Sequence, residues 1–154
     1  MSLENVRSFF KQYQLENRIH IFDESTATVA EAAAVLEVKP EQIAKTLAFS
    51  LKERPIVIVT EGTAKISNPK YKAAFKQRAH MVKADELEDL IGHPLGGVCP
   101  FALKPAVDVY LDESLKKHDV IYPAAGTANA AVKLTVAELE KYAQPVAWVD
   151  VIKE

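Results

Sequence analysis

Apolar side chains recur along this chain with two alternating periods. Val6, Phe9, Phe10 and Tyr13 fall at helical spacing between polar neighbours, which predicts an amphipathic helix over 3–15. Arg18 to Phe22 reads as extended. Thr28 and Glu31 form a T-x-x-E capping box, and Val29, Ala32, Ala33 and Leu36 follow at i, i+3, i+4, i+7, so a second helix is expected. Pro40 suits the first turn of a short helix through Ile43, and alternation from Thr46 to Leu51 predicts a strand. The β-branched run Pro55 to Thr60 predicts the next strand, joined to its predecessor as a hairpin across Lys52-Glu53-Arg54.

Asn68-Pro69 signals a helix start, with Pro at the first helical position and Tyr71, Ala74 and Phe75 as the inward stripe. Asp85 can cap a further helix carrying Leu87, Leu90 and Ile91, ended by Gly92 and Pro94. The second half is strand-rich. Val107, Val109 and Leu111 alternate with Asp108 and Tyr110, extended runs recur at 119–122 and 130–134, and Val146 to Val151 closes the chain. Thr135-x-x-Glu138 is a second capping box, with Leu134 and Leu139 placed for a hydrophobic staple. Hairpins mixed with helices, without regular βαβ alternation, predict an α+β fold with a mixed or mainly antiparallel sheet.

Composition narrows the class. The 154 residues are 49% hydrophobic and 26% charged, and a chain of this length buries roughly 68–70% of its unfolded surface, so one domain over 1–154 is expected. A single cysteine, Cys99, excludes an intrachain disulfide and a Cys-rich zinc site, in keeping with a reducing cytosol. The N-terminus lacks the features of a signal or transit peptide, and no apolar run reaches membrane-spanning length, so a cytoplasmic domain without membrane association is expected. The formal net charge of −2 argues against a generally cationic nucleic-acid coat. Locally the balance differs: Lys65, Lys70, Lys72, Lys76, Arg78 and Lys83 occur with no acidic residue between Gly62 and Ala84. On a helix from Pro69, Lys72 and Lys76 project away from the apolar stripe, either as a solvated face or as phosphate contacts.

Standard catalytic patterns are missing: no G-x-S-x-G, Walker loop, H-E-x-x-H or G-x-G-x-x-G occurs. His20, His80, His93 and His118 are scattered, so neither a metal nor another cofactor is expected. Cys99 is either a nucleophile or a buried small apolar residue. The segment His93 to Phe101, with Gly96, Gly97 and Pro100, can present unpaired N–H groups to a developing oxyanion, or can be a tight connecting turn. Pro123 to Asn129 is a second small-residue segment; Thr127 or Asn129 could hydrogen-bond a ligand there, or the segment is a hairpin loop. Lys45, directly after a short helix, suits a helix C-terminus.

Taken in order, Ile19-His20-Ile21-Phe22, Ile43-Ala44-Lys45-Thr46-Leu47, Gly96-Gly97-Val98-Cys99-Pro100, Val109-Tyr110-Leu111-Asp112 and Ile121-Tyr122-Pro123-Ala124-Ala125-Gly126 resemble a known family over nearly the whole chain. It is that of the single-domain YbaK-like aminoacyl-tRNA deacylases, related to the editing domain of bacterial prolyl-tRNA synthetases. The resemblance implies a strongly curved mixed sheet with flanking helices and metal-independent hydrolysis of the ester on mischarged tRNA, without an obligatory protein nucleophile. It implies that Lys45 holds the 3′-terminal nucleotide and that Gly96, Gly97 and Pro100 belong to the G-x-x-x-P loop shaping the catalytic pocket. His20, Phe22, Cys99, Asp112, Gly126, Thr127 and Asn129 are the implied substrate-binding positions, and Lys65, Lys70, Lys72 and Lys76 the expected tRNA contacts. The partner implied is the aminoacylated 3′ end of tRNA, tRNA-Pro with Ala, Cys, Ser or Thr, with a synthetase as a candidate second partner. Phe101-Ala102-Leu103 and an uncharged Gly126-Thr127-Ala128-Asn129 depart from the family pattern, which leaves the amino acid open. A tRNA-end binding module without catalysis and a protein-interaction domain on the same scaffold are the alternatives.

Overall fold

The computed structural model describes residues 2–52 and 54–154; Glu53, within the expected hairpin turn, lies outside them. Helix α1 (Ser2–Lys11) buries Val6 and Phe10. It stops short of residue 15 because Gln14 takes a positive φ of 61° and the Leu15 N–H returns to the Phe10 carbonyl. Tyr13 therefore leaves the helix and lies 4.6 Å from the Tyr142 ring. Strand β1 (Ile19–Ile21) is followed by α2 (Val29–Leu36), where the Thr28–Glu31 capping box forms as expected. Strand β2 (Ile43–Ser50) starts three residues before Thr46, and Lys45 is inside it.

Strand β3 (Pro55–Glu61) pairs antiparallel with β2 from Ala44↔Glu61 to Ser50↔Pro55. Helix α3 (Asn68–Phe75) is capped by the Ser67 side chain, one residue before the expected start, with Pro69 in its first turn. Tyr71 is buried and Phe75 half-buried, whereas Ala74 is exposed because the helix rests on its Tyr71 edge. Asp85 does not cap the next helix: Ala84–Glu86 form a tight turn, and α4 (Leu87–Leu90) begins at Glu86 with no side-chain cap. Then come β4 (Asp108–Asp112), β5 (Val120–Pro123), β6 (Ala130–Val132), β7 (Leu134–Thr135), α5 (Val136–Ala143) and β8 (Ala147–Val149). The second capping box forms, and both Leu134 and Leu139 are in the core.

The fold is α+β, with a curled, mixed six-stranded half-barrel in the order β7-β5-β2-β3-β4-β8. β7–β5 and β2–β3 are antiparallel; β5–β2, β3–β4 and β4–β8 are parallel. A separate antiparallel β1–β6 ribbon is tied to the Pro123–Ala130 connection through the Ala124↔Ala131 bridge. Alternation decides which side chains share a core. Val57, Val59, Val109 and Leu111 join the larger core with Val6 and Phe10, while Ile56, Ile58 and Tyr110 meet α3 on the other face. Among the described residues no helix is long and apolar enough to cross a membrane.

Candidate functional site

Strand β2 determines where a ligand can enter. On one edge it is bonded to β3 throughout; on the other it pairs with β5 at Ile43 and Ala44 and next meets a neighbour at Ala48, whose carbonyl accepts the Val82 N–H. Among the described residues, no strand lies beside the Lys45–Leu47 stretch of this edge. Because Ala48 and Ser50 turn their main-chain groups toward that edge, alternation turns those of Thr46 the same way.

A cavity of about 410 Å³ occupies the gap. Its walls are mostly small and apolar: Ala27, Val29 and Ala32 from the start of α2, Val82 and Leu87 from the 81–87 segment, and Ala124, Ala130 and Ala131 from the β5–β6 region. Exposed Met81 and Leu95 line it as well. Among the described residues, the polar side chains on its wall are Lys45, Thr26, Thr28, Thr46 and Tyr122, and no Cys, His, Asp or Glu lines it.

Lys45 is half-buried, and its ammonium group donates to the Ala64 carbonyl. Burial, and secondarily the nearby Lys65, pulls its pKa below the ordinary lysine value. A tethered cation, partly stripped of water and beside a second positive charge, favours an anion. Thr26 is buried and Thr46 half-buried, and both hydroxyl oxygens are sealed from solvent without a partner among the described residues. Thr26 belongs to none of the sequence motifs, and Thr46 enters them only as the neighbour of Lys45, with no role of its own. Thr26 sits in a nondescript polar loop, and Thr46 gains its place from a strand edge that local pattern does not reveal.

The two glycines of the Pro94–Pro100 loop differ. Gly96, at φ +85°, lines the cavity, and a side chain there would meet Ala27 and Ala128 at 3.0 and 3.1 Å. Gly97 is turned into the protein: its N–H donates to the Pro94 carbonyl, its carbonyl accepts the Gly126 N–H, and a Cβ would lie 2.4 Å from the Thr127 nitrogen. Its N–H is thus occupied within the loop, which corrects the expectation that both glycines present donors to substrate. Among the described residues, no main-chain carbonyl accepts from the Gly96 or Val98 N–H.

Other expected site residues lie elsewhere. Cys99 is fully buried in the larger core, where burial pushes its thiol up to about 12, and His93 and the Phe101 carbonyl are its neighbours. Pro100 lines a separate shallow groove with Phe9 and Tyr142. His20 is exposed and stacks on Phe22; neither lines the cavity. Asp112 is completely buried and accepts the Ser114 and Val151 N–H groups at 2.9 Å, so it is a structural carboxylate. Gly126 packs on Ser2, while Asn129 exchanges hydrogen bonds with Phe22 and contacts Thr127, joining its loop to β1. The acid-free basic run also loses a member: Lys70 is paired with Asp150 and Glu154. Lys65, Lys72 and Lys76 remain exposed. Among the described residues, no group of three or more His, Cys, Asp or Glu is placed to hold a metal ion.

The fold and its cavity define a small α+β domain with a compact, mostly apolar cavity beside a fixed cation. The chain belongs to the aminoacyl-tRNA editing domain family, whose sequence profile matches residues 23–142. It is 41% identical to the uncharacterized protein YwhH of Bacillus subtilis (strain 168) over 100% of this chain and 99% of YwhH. It is 32% identical to the proline–tRNA ligase of Kosmotoga olearia over 58% of this chain, a match spanning 16% of the ligase. Among solved structures, a hypothetical protein at 28% identity covers 93% of this chain and 99% of its own, with a TM-score of 0.80. A candidate trans-editing enzyme for prolyl tRNA synthetase, at 23% identity, shares the fold with a TM-score of 0.88 over 99% of this chain and 98% of that one.

Proposed function

We propose that residues 1–154 form one trans-editing deacylase domain that hydrolyses the ester of mischarged tRNA, with tRNA-Pro bearing Ala, Cys, Ser or Thr as the substrate class, in the cytoplasm. The observation that carries this reading is the cavity: small apolar walls beside the half-buried Lys45 ammonium. The phosphate of the 3′-terminal nucleotide, held by Lys45, fixes the aminoacyl ester at the cavity mouth, so positioning supplies much of the rate. Water adds to the ester carbonyl and the ribose oxygen departs with a proton. With no carboxylate, imidazole or thiol among the described residues of the cavity wall, the neighbouring ribose hydroxyl of the substrate is the group assigned to relay that proton. The Gly96 and Val98 main chain is the nearest candidate donor set for the oxyanion.

The test is release of amino acid from a panel of mischarged tRNAs, with Lys45→Ala alongside. The parent is expected to release at least one small amino acid, and Lys45→Ala to act about a hundredfold more slowly with little change in melting temperature. A parent that binds aminoacyl-tRNA but releases nothing would establish the binding-module alternative instead.

A further inference from the structure

Building on the deacylase reading, we propose that Thr26 and Thr46 select the aminoacyl side chain, favouring a small hydroxylated amino acid, serine or threonine, over alanine. An apolar cavity separates ligands by size, but it discriminates poorly between side chains that differ only by a hydroxyl; a polar group on its wall changes that. Both threonines line a cavity whose other walls are dominated by Ala, Val and Leu, and both hydroxyls lack a partner among the described residues. Thr28 and Thr135 cap helices, Thr60 donates to the Glu61 carbonyl, and Ser114 accepts the Glu61 N–H, whereas Tyr71, outside the cavity lining, shares with the pair a buried hydroxyl that has no partner among the described residues. What sets the cavity pair apart is that both threonines adjoin space for a ligand.

A threonine can also expose its hydroxyl cheaply. Rotation about χ1 exchanges oxygen and methyl, which are nearly the same size, so the backbone need not move to meet a ligand. The division of labour follows from the open edge of β2. Main-chain groups of Thr46 face the gap between Ala44 and Ala48 and suit the α-amino and ester groups that every aminoacyl substrate shares. The side-chain hydroxyls are left for the part that varies, each offering one donor and two acceptor positions.

The experiment compares seryl, threonyl and alanyl esters on the same tRNA, using the full chain and its Thr26→Val, Thr46→Val and doubly substituted variants. Valine keeps the shape and removes the hydroxyl, and melting curves confirm that the variants fold. The parent is expected to prefer the hydroxylated esters, and the seryl-to-alanyl ratio of kcat/KM to fall about tenfold in at least one single variant and further in the double. An equal loss on both esters would place the hydroxyls on a shared part of the substrate and overturn the proposal. So would an unchanged ratio, or a parent that prefers alanine. Binding of 3′-amide-linked seryl- and alanyl-adenosine separates this from the deacylase reading. A parent that hydrolyses nothing yet binds the seryl analogue more tightly, and loses that preference in the valine variants, retains the selection while ending the hydrolytic reading. Equal binding of the two analogues by such a parent overturns the selection too.

Discussion

Around Asp112 the buried polar groups form a closed set. Its carboxylate accepts two main-chain N–H groups, the Ser114 hydroxyl takes the Glu61 N–H, and the Glu61 carboxylate meets both His118 and Lys117. At the cavity, some of the same chemistry is left open: among the described residues the Thr26 and Thr46 hydroxyls have no partner and the Lys45–Leu47 edge has no neighbouring strand. The first region joins β3, β4 and the C-terminal segment and supports the sheet. The second is a break in that sheet. Tyr71 carries another unpartnered hydroxyl, beneath α3 and outside the cavity lining. A missing partner therefore does not mark a site by itself; it acquires meaning where space for a ligand adjoins it.

The contrast is open to direct measurement. Asp112→Ala strips partners from two buried N–H groups and should destabilise the protein by about 3 kcal/mol in chemical denaturation. A loss under about 1 kcal/mol would mean that the closed set is not what supports the sheet. Gly97→Ala comes next, with an expected loss of about 2 kcal/mol, because its Cβ would collide with the Gly126–Thr127 backbone and overpacking of this kind is only partly relieved. Normal stability with slow turnover would instead return Gly97 to the catalytic site.

A smaller effect should appear on acidification. Burial raises the Glu61 pKa, but the hydrogen bonds and charges of Lys117 and His118 outweigh it and hold the group below its ordinary 4.5. A depressed folded-state value means that this stabilisation is fully present above pH 4.5 and lost as pH falls through the folded value. Glu61→Gln should therefore flatten the fall of melting temperature below that pH, and an unchanged profile would deny the linkage. The smallest change belongs to the cavity. Thr26→Val and Thr46→Val remove hydroxyls that bond to nothing, so each should alter stability by no more than about 0.5 kcal/mol. A larger loss would show that these hydroxyls are satisfied in the folded state.

The sequence alone determined what depends on neighbours a few residues apart. Thr28/Glu31 and Thr135/Glu138 cap their helices as the pattern predicts, and the β2–β3 hairpin follows from two β-rich runs separated by a short polar turn. Family membership was legible too, in short motifs kept in order along the chain; two residues of those motifs, Lys45 and Gly96, line the cavity. Tertiary structure decided the rest, because burial and pairing join residues that are far apart in the chain. Asp112 became a structural carboxylate only through Val151, and Cys99 became core through packing around it. Lys70, in the middle of an acid-free run, met its counter-charges at Asp150 and Glu154, some eighty residues downstream. Thr26 and Thr46 carry no local signature, since an unpaired hydroxyl is defined by everything that fails to reach it, and that is known only once the strand edge, the α2 loop and the 81–87 segment are in place.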